Sequence, residues 1–519
     1  MKGQSALLAI FARFRGCHQP AAWLGERSIT FDALYHSAAR LAVTLRAQGD
    51  APVLIYGHKD LRYLTAMWAC ILAGRTFVPT EDENSDARIQ QIQHSAQASL
   101  LLNTTARANP ATCRQLAVRD GGTRSAAAPD LSHVVRAVAP EQNMYILFSS
   151  GTTGQPKGIG VSYANVADFI DWIRREFPLE GAVSGNIRYG FDVSLYELWL
   201  SWLCLKPMVV LDQPNFFNTR LTIQRHAAAG TTCWVSTPSL TRCYLNDRQF
   251  NADALPTIRQ FIFCGEVLTK TLVNAVWQRF PNARITNTYG PTECTVAVTA
   301  VDIHPHHVDD DEPLPLGVAR PGTRITLSPG EDAVGELIIS GKAVGSGYLN
   351  ASPEQQARFF INDRGEKAYR TGDRGVIRDG LVYFHGRDDR EIKLQGYRIN
   401  LNDIEQVLLG QPGVREAFVD TWRRQGSLQG ICAFVLFDGD DEGGDANFAR
   451  LGKALATRMP PWMIPRRWYA ISEPCLNVNS KLDRHAISAA TQSKGKYYVY
   501  VHDADDRSAA SQQPPDCHC

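Results

Sequence analysis

The chain has 519 residues, 44% of them hydrophobic and 21% charged, with a formal net charge of +1. Single cores seldom grow past ~250 to 300 residues, so two or more domains are expected, with composition typical of a globular protein. Near-neutral charge without a local basic patch argues against coating a polyanion, and no nucleic acid partner is expected.

The start, MKGQSALLAIFARFRG, carries Lys2, a short apolar run and then Arg13 and Arg15. The run is too short to span a bilayer and lacks a small-residue cleavage site, so it reads as a helix or frayed end, with no stable membrane insertion. From Thr30 to about Gln48 apolar residues recur at helical spacing (Leu34, Ala38, Leu41, Leu45), and PVLIY at 52–56 reads as a strand. A second helical stretch, 60–73, ends at Gly74 and leads into TFVP. This alternation recurs to about residue 260 and predicts an α/β domain of parallel sheets covered by helices. FIFCG at 261–265 is a further buried strand, which puts Gly265 and Glu266 at a strand end, where open α/β sheets bind ligands.

Between 301 and 332 the texture changes to His, Asp and Pro turns, and HPHHVDDDE at 304–312 reads as a solvated loop rather than a metal site. VGELIISG (334–341) and DGLVYFHGR (379–387) predict a small β-rich subdomain. The charged stretch GRDDREIKLQGYRIN follows at 386–400, and Asn402 with Glu405 suggests a capping box before Val407 and Leu408. REAFV and ICAFVLF read as strands and 447–458 as a helix, together a small α+β C-terminal domain. The expected boundaries are a large N-terminal domain over 1–388, a small domain over 389–490 and a polar, partly disordered tail over 491–519. The 12 cysteines lie mostly singly among apolar or turn residues, which suits thiols in a reducing compartment, with the cytoplasm as default. Cys517, His518 and Cys519 are too closely adjacent to enclose a tetrahedral ion.

SSGTTGQPKG, 149–158, follows an apolar strand at 145–148 but lacks Walker spacing. Its glycines would admit backbone amides to phosphate oxygens, its hydroxyls add donors and Lys157 adds charge. A lone loop of this kind is usually a surface turn. Four later motifs change the balance: NTYGPTE (287–293), YRTGD (369–373), GRDDREIKLQGYRI (386–399) and NVNSKLD (477–483). In this order and spacing the chain resembles the adenylate-forming superfamily, most of all the D-alanine:D-alanyl carrier protein ligases and the amino-acid adenylation domains of nonribosomal peptide synthetases.

That resemblance implies two half-reactions with ATP and Mg²⁺: a carboxylate attacks the α-phosphate to give an acyl adenylate and pyrophosphate, and a thiol then attacks the adenylate. It implies a mobile small domain carrying Lys481 as catalytic lysine, although Ser480 stands where the family usually has glycine. Asp389 takes the place of the hinge, with Asp388, Arg390 and Glu391 beside it expected to stay hydrated. Ser149, Ser150, Gly151, Thr152, Thr153, Gly154 and Lys157 match the phosphate loop. Glu293 matches the magnesium-binding glutamate and Asp373 the acceptor of both ribose hydroxyls. Tyr289 would pack on adenine and Asn287 would read its amine, with Gly265, Glu266, Thr288, Gly290 and Thr292 nearby. Arg387 and Arg398 resemble arginines that approach the nucleotide, and Lys393, Gly396 and Tyr397 fall on the face turned toward the thiol in the second step.

Asp192, in FDVSLYELW, matches the aspartate that pairs with a substrate ammonium; a carboxylate in such an apolar segment is otherwise costly. Val193, Tyr196, Ser236, Ile262, Cys264, Thr288, Val296 and Ala297 would line the remaining pocket. Cys264 matches a cysteine that favours the D enantiomer in the D-alanine ligases, and it reads as a packing residue. The Tyr196 ring would shrink the cavity for alanine, glycine or serine, or stack beside a cyclic amino acid. No carrier-attachment serine follows Lys481, so the expected partners are a small amino acid, D-alanine first, and a separate phosphopantetheinylated carrier protein. Two alternatives stay open: a stand-alone adenylation enzyme for another small or cyclic amino acid, and an acyl-CoA synthetase, which Asp192 disfavours.

Overall fold

The computed structural model describes residues 3–118, 130–149, 156–211, 218–310, 312–328, 334–387, 390–424, 427–437, 445–470 and 497–499. The chain divides into two compact units, Met1–Asp403 and Ile404–Cys519.

In the first unit the apolar start forms helix Gln4–Ala12, with Leu7, Ile10 and Phe11 buried. Helix Phe31–Arg46 begins where the Thr30 hydroxyl accepts from the Ala33 amide. Helix Leu61–Ala73 is capped by Asp60 and ends at Gly74 in the left-handed conformation, φ 65°. This helix is buried along nearly its whole length, and its Trp68 packs edge-on against Trp199 at 5.7 Å. The alternation of strands and helices builds two sheets. One has seven strands in the order Gly347–Leu349, Lys157–Ser162, Asn143–Ser149, Phe77–Thr80, Val53–Tyr56, Leu100–Asn103 and Arg114–Ala117. The other has 14 strands, and its central parallel run holds Ala182–Gly185, Thr231–Ser236, Gln260–Phe263 and Arg284–Tyr289 side by side.

The sheets are mixed rather than purely parallel. Lys157–Ser162 runs antiparallel to Asn143–Ser149, so 150–156 joins two ends of a strand pair in which Ser149 faces Lys157. A Walker loop instead opens a helix, which separates the two designs. The β-rich subdomain is present, with Gly335–Gly341 and Leu381–Arg387 continuing the large sheet through Pro315–Ala319. The histidine-rich stretch forms a short helix, Pro305–Asp309, with no buried residue.

The second unit contains the long antiparallel pair Val414–Arg424 and Ser427–Phe437, extended in parallel by Arg467–Ala470, with helix Asp445–Ala456. Tyr497–Val499 adds an antiparallel strand, so part of the polar tail is paired. The remainder of 491–519 lies outside the described residues. The expected capping box is not formed. Asn400 caps helix Leu401–Leu409 by accepting from the Asn402 amide at 2.9 Å, and Glu405 instead accepts from the Val419 amide at 2.8 Å. A strand amide outcompeted the helix terminus for that carboxylate.

Candidate functional site

The central parallel strands end together at Ser236, Phe263 and Tyr289, and the chain turns at Gly265 with φ 93°. A side chain at Gly265 would place Cβ 2.8 Å from Cζ of Phe191, and one at Gly396 would place it 2.6 Å from Cε1 of the same ring. These two glycines clamp Phe191, which precedes Asp192 and the helix Ser194–Cys204.

Asp192 is 3% exposed, and its Oδ2 has no hydrogen-bond partner among the described residues. Burial pushes its carboxyl up to about 6, against the Thr292 hydroxyl and the Lys393 ammonium, which pull down. Asp192 lines a cavity shared with Val193, Cys264, Gly265, Gly290, Thr292, Asp373, Arg387 and Arg398. The free volume is about 20 Å³, room for little more than one water.

Val193, Tyr196, Ile262, Cys264, Val296 and Ala297 fall in one core cluster behind that cavity. Ser236 and Thr288 are also buried, and their hydroxyls donate to the carbonyls of Thr237 and Phe263, each at 2.8 Å. Tyr196 packs edge-on against Phe169, Trp172 and Phe177, and its hydroxyl has no hydrogen-bond partner among the described residues. Burial pushes the Cys264 thiol up to about 11, which suits packing and not nucleophilic attack.

On the nucleotide side, the Asn287 amide donates to the Pro315 carbonyl at 2.8 Å. The Tyr289 hydroxyl donates to Asp373 at 2.5 Å, and Arg387 pairs with the other oxygen of the same carboxylate. Glu293, wholly buried, accepts from Arg398 Nη1 at 2.6 and 2.7 Å and from the Tyr348 hydroxyl at 2.6 Å. Burial alone would raise its carboxyl, but the Arg398 guanidinium, then Lys157 and Tyr348, hold it down at about 2. Lys157 is itself buried, with Nζ 4.0 Å over the Tyr348 ring, and desolvation lowers its ammonium. Glu266 accepts from the amides of Ser239 at 2.8 Å and Gly396 at 2.9 Å.

Ser150, Gly151, Thr152, Thr153, Gly154, Asp389 and Lys481 lie outside the described residues, and of Ser149 only the strand position is described. Sequence reasoning missed Tyr348, which touches both Glu293 and Lys157, and misjudged Glu391. Expected to stay hydrated, the Glu391 side chain is only 10% exposed and accepts from both Arg387 and Arg398. Two arginines at matched positions around one acid were the available signal. Among the described residues, no group of three or more His, Cys, Asp and Glu is arranged to hold a metal ion, and no helix is long and apolar enough to cross a membrane.

A family profile described as AMP-binding enzyme matches residues 12–349. The D-alanine--D-alanyl carrier protein ligase of Listeria monocytogenes serotype 4b is 34% identical over 468 residues, covering 86% of this chain and 91% of its own. The enzyme of that name from Bacillus licheniformis is 32% identical, covering 88% and 94%. In fold, the chain is similar to the Vibrio cholerae adenylation domain AlmE in complex with glycyl-adenosine-5'-phosphate, with TM-score 0.80 and 24% identity, covering 95% of this chain and 99% of that one. Cleft, carboxylates and comparisons together define a nucleotide-dependent α/β enzyme. The chain belongs to the AMP-binding enzyme family, with the AMP-forming acid–thiol ligase activity of that superfamily.

Proposed function

We propose that this chain activates a small amino acid, D-alanine first, with ATP and transfers it to the phosphopantetheine thiol of a separate carrier protein. The observation that carries this reading is Asp192: a buried carboxylate that lines the cavity and has an oxygen without a hydrogen-bond partner among the described residues would be satisfied by a substrate ammonium, and a fatty or aryl acid would leave it unpaired. The substrate carboxylate attacks the α-phosphorus as the bond to pyrophosphate breaks. The thiol sulfur then attacks the acyl carbon and AMP leaves, with the thiol proton passing to solvent.

Glu293 would fit a magnesium ion as a single buried carboxylate once Arg398, which donates to both its oxygens, withdraws, since that ion takes its other ligands from substrate phosphates and water. When bound, magnesium supplies charge neutralisation at the phosphates. Lys157 and the loop 149–154 would hold phosphate oxygens, Asp373 the ribose, and Tyr289 the adenine face. Lys481 would neutralise charge during adenylation and then withdraw with a small domain turning at Asp389. The boundaries 1–388 and 389–490, and a cytoplasmic site of action, belong to the same proposal; the nine free cysteines among the described residues support the latter.

The test is pyrophosphate exchange over a panel of D- and L-amino acids, followed by loading of candidate carriers. D-Alanine should lead, and K481A should abolish the exchange. The aromatic packing behind Tyr196 favours one second reading, a stand-alone adenylation enzyme for another small or cyclic amino acid, which the same panel would reveal. Faster turnover of a plain carboxylic acid with coenzyme A would overturn both readings.

A further inference from the structure

Behind the Tyr196 ring lies a cation that the proposed reaction does not use. Arg320 follows strand Pro315–Ala319, and its side chain is wholly buried at 0% exposure. Asp168 Oδ2 stands 3.5 Å from its Nη2, and none of the three guanidinium nitrogens has a hydrogen-bond partner among the described residues. What the guanidinium does have is aromatic faces: its central carbon lies 5.6 Å from the ring centroids of both Phe169 and Trp172. Asp168, Phe169 and Trp172 all belong to helix Tyr163–Glu176. The same two rings meet Tyr196 edge-on, with centroids 5.2 and 6.4 Å away. The backbone ties the arginine to another part of the pocket wall, since its amide donates to the Val298 carbonyl at 2.8 Å, next to Val296 and Ala297. Arg320 therefore bolts the helix behind Tyr196 to the segment 296–298.

We propose that Arg320 is a positioning residue that holds Phe169 and Trp172 against Tyr196, so that the Tyr196 ring sets how large a substrate side chain the pocket admits. An apolar side chain of similar length would fill this space without desolvating a charge, and such replacements of buried ions are often neutral or stabilising. A guanidinium with so little polar compensation serves a purpose that an apolar side chain cannot: its planar cation fixes the direction of two aromatic faces. With those rings pinned, Tyr196 has nowhere to yield, and a side chain larger than methyl meets a packed wall. Without the cation the rings are free to change rotamer, and Tyr196 gives way toward them. The proposal rests on the amino-acid reading above.

The experiment measures pyrophosphate exchange by the full-length wild type, R320M, R320K, F169L and R320M/F169L, with D-alanine and D-valine. In R320M the ratio of kcat/KM for D-valine to that for D-alanine should rise about tenfold, with the ATP KM within about twofold of wild type. R320K keeps a charge beside Asp168 but lacks the planar face, so its ratio should rise about threefold. A wild-type ratio in R320K would mean that the ion pair is the whole role, and overturns the proposal. F169L removes the shared ring and should match R320M, and the double variant should be no wider than either alone, because both act through one contact. Ratios that multiply in the double variant overturn the proposal. So does a folded R320M that loses activity toward both amino acids and ATP alike with its ratio unchanged. If R320M does not fold, R320K and F169L decide: a raised ratio in both supports the proposal, and an unchanged ratio in either overturns it. If another small amino acid leads the panel, it and its larger homologue replace this pair. Failure of the wild type to exchange with any amino acid overturns the functional reading and this proposal together, whereas an unchanged ratio in an active R320M overturns this one alone.

Discussion

At Asp192 burial works against charge, while at Glu293 a guanidinium overrides burial, and the two acids move in opposite directions, to about 6 and about 2. The consequence for Asp192 is a competition between a proton and the substrate ammonium. Below about pH 6 the proton wins, so the amino-acid KM should rise about tenfold per pH unit while kcat holds, a slope read from initial rates. D192N should raise KM at least a hundredfold and flatten that profile. Stability should move the other way. A carboxyl raised in the folded state binds more protons there than when unfolded, so stability falls as pH rises from about 4 through about 6. D192N should therefore melt higher than wild type at pH 8, by about 1 to 3 kcal/mol, and equally at pH 3.5. Asp192 was legible because an acid between Phe191 and Val193 has few other reasons to exist. Glu391 was not, since a charged run reads as solvated until tertiary packing excludes water from it.

Among elements, the hairpin Glu391–Leu394 and Tyr397–Asn400 is dictated locally: its two turn residues, Gln395 and Gly396, take φ 52° and 85°, the pair of positive values a tight two-residue turn demands. Gly396 serves a second purpose, since any Cβ there would strike Phe191. G396A should unseat the hairpin, seen as faster amide exchange over 391–400 and slower thiol transfer, with little change in the main thermal transition. G265A meets the same ring from the strand end of the large sheet, and should cost about 1 to 3 kcal/mol of stability in a urea melt. The contrast separates a docking clash from a core clash on one phenyl ring. Most elements of this kind announce themselves: Thr30, Asp60 and Gly74 bound helices that periodicity alone suggested. What sequence could not show is competition between neighbours, as when Val419 takes Glu405 from the helix that Asn400 then caps.

Across the first unit, one buried ion pair joins the two sheets. Lys59 follows strand Val53–Tyr56 of the seven-stranded sheet, and Glu197 sits on helix Ser194–Cys204, beside strand Ala182–Gly185 of the larger one. Their side chains, 1% and 0% exposed, meet at 3.2 Å, while Lys59 also donates to the Gly185 carbonyl and Glu197 accepts from the Asn186 amide at 2.6 Å. Periodicity assigns each residue to its own sheet edge or helix, but it cannot bring together positions so distant in sequence, so this link was invisible before the fold. Replacing one partner strands the other charge without water, whereas neutralising both removes the conflict. K59M should thus lower first-unit stability by about 3 to 5 kcal/mol, followed in urea by the fluorescence of the buried Trp68, Trp199 and Trp234. K59M/E197Q should recover more than half of that loss, because glutamine keeps an acceptor for the Asn186 and Ile187 amides and carries no charge to desolvate. A double variant as unstable as the sum of its parts would mean that packing, and not the ion pair, couples the sheets.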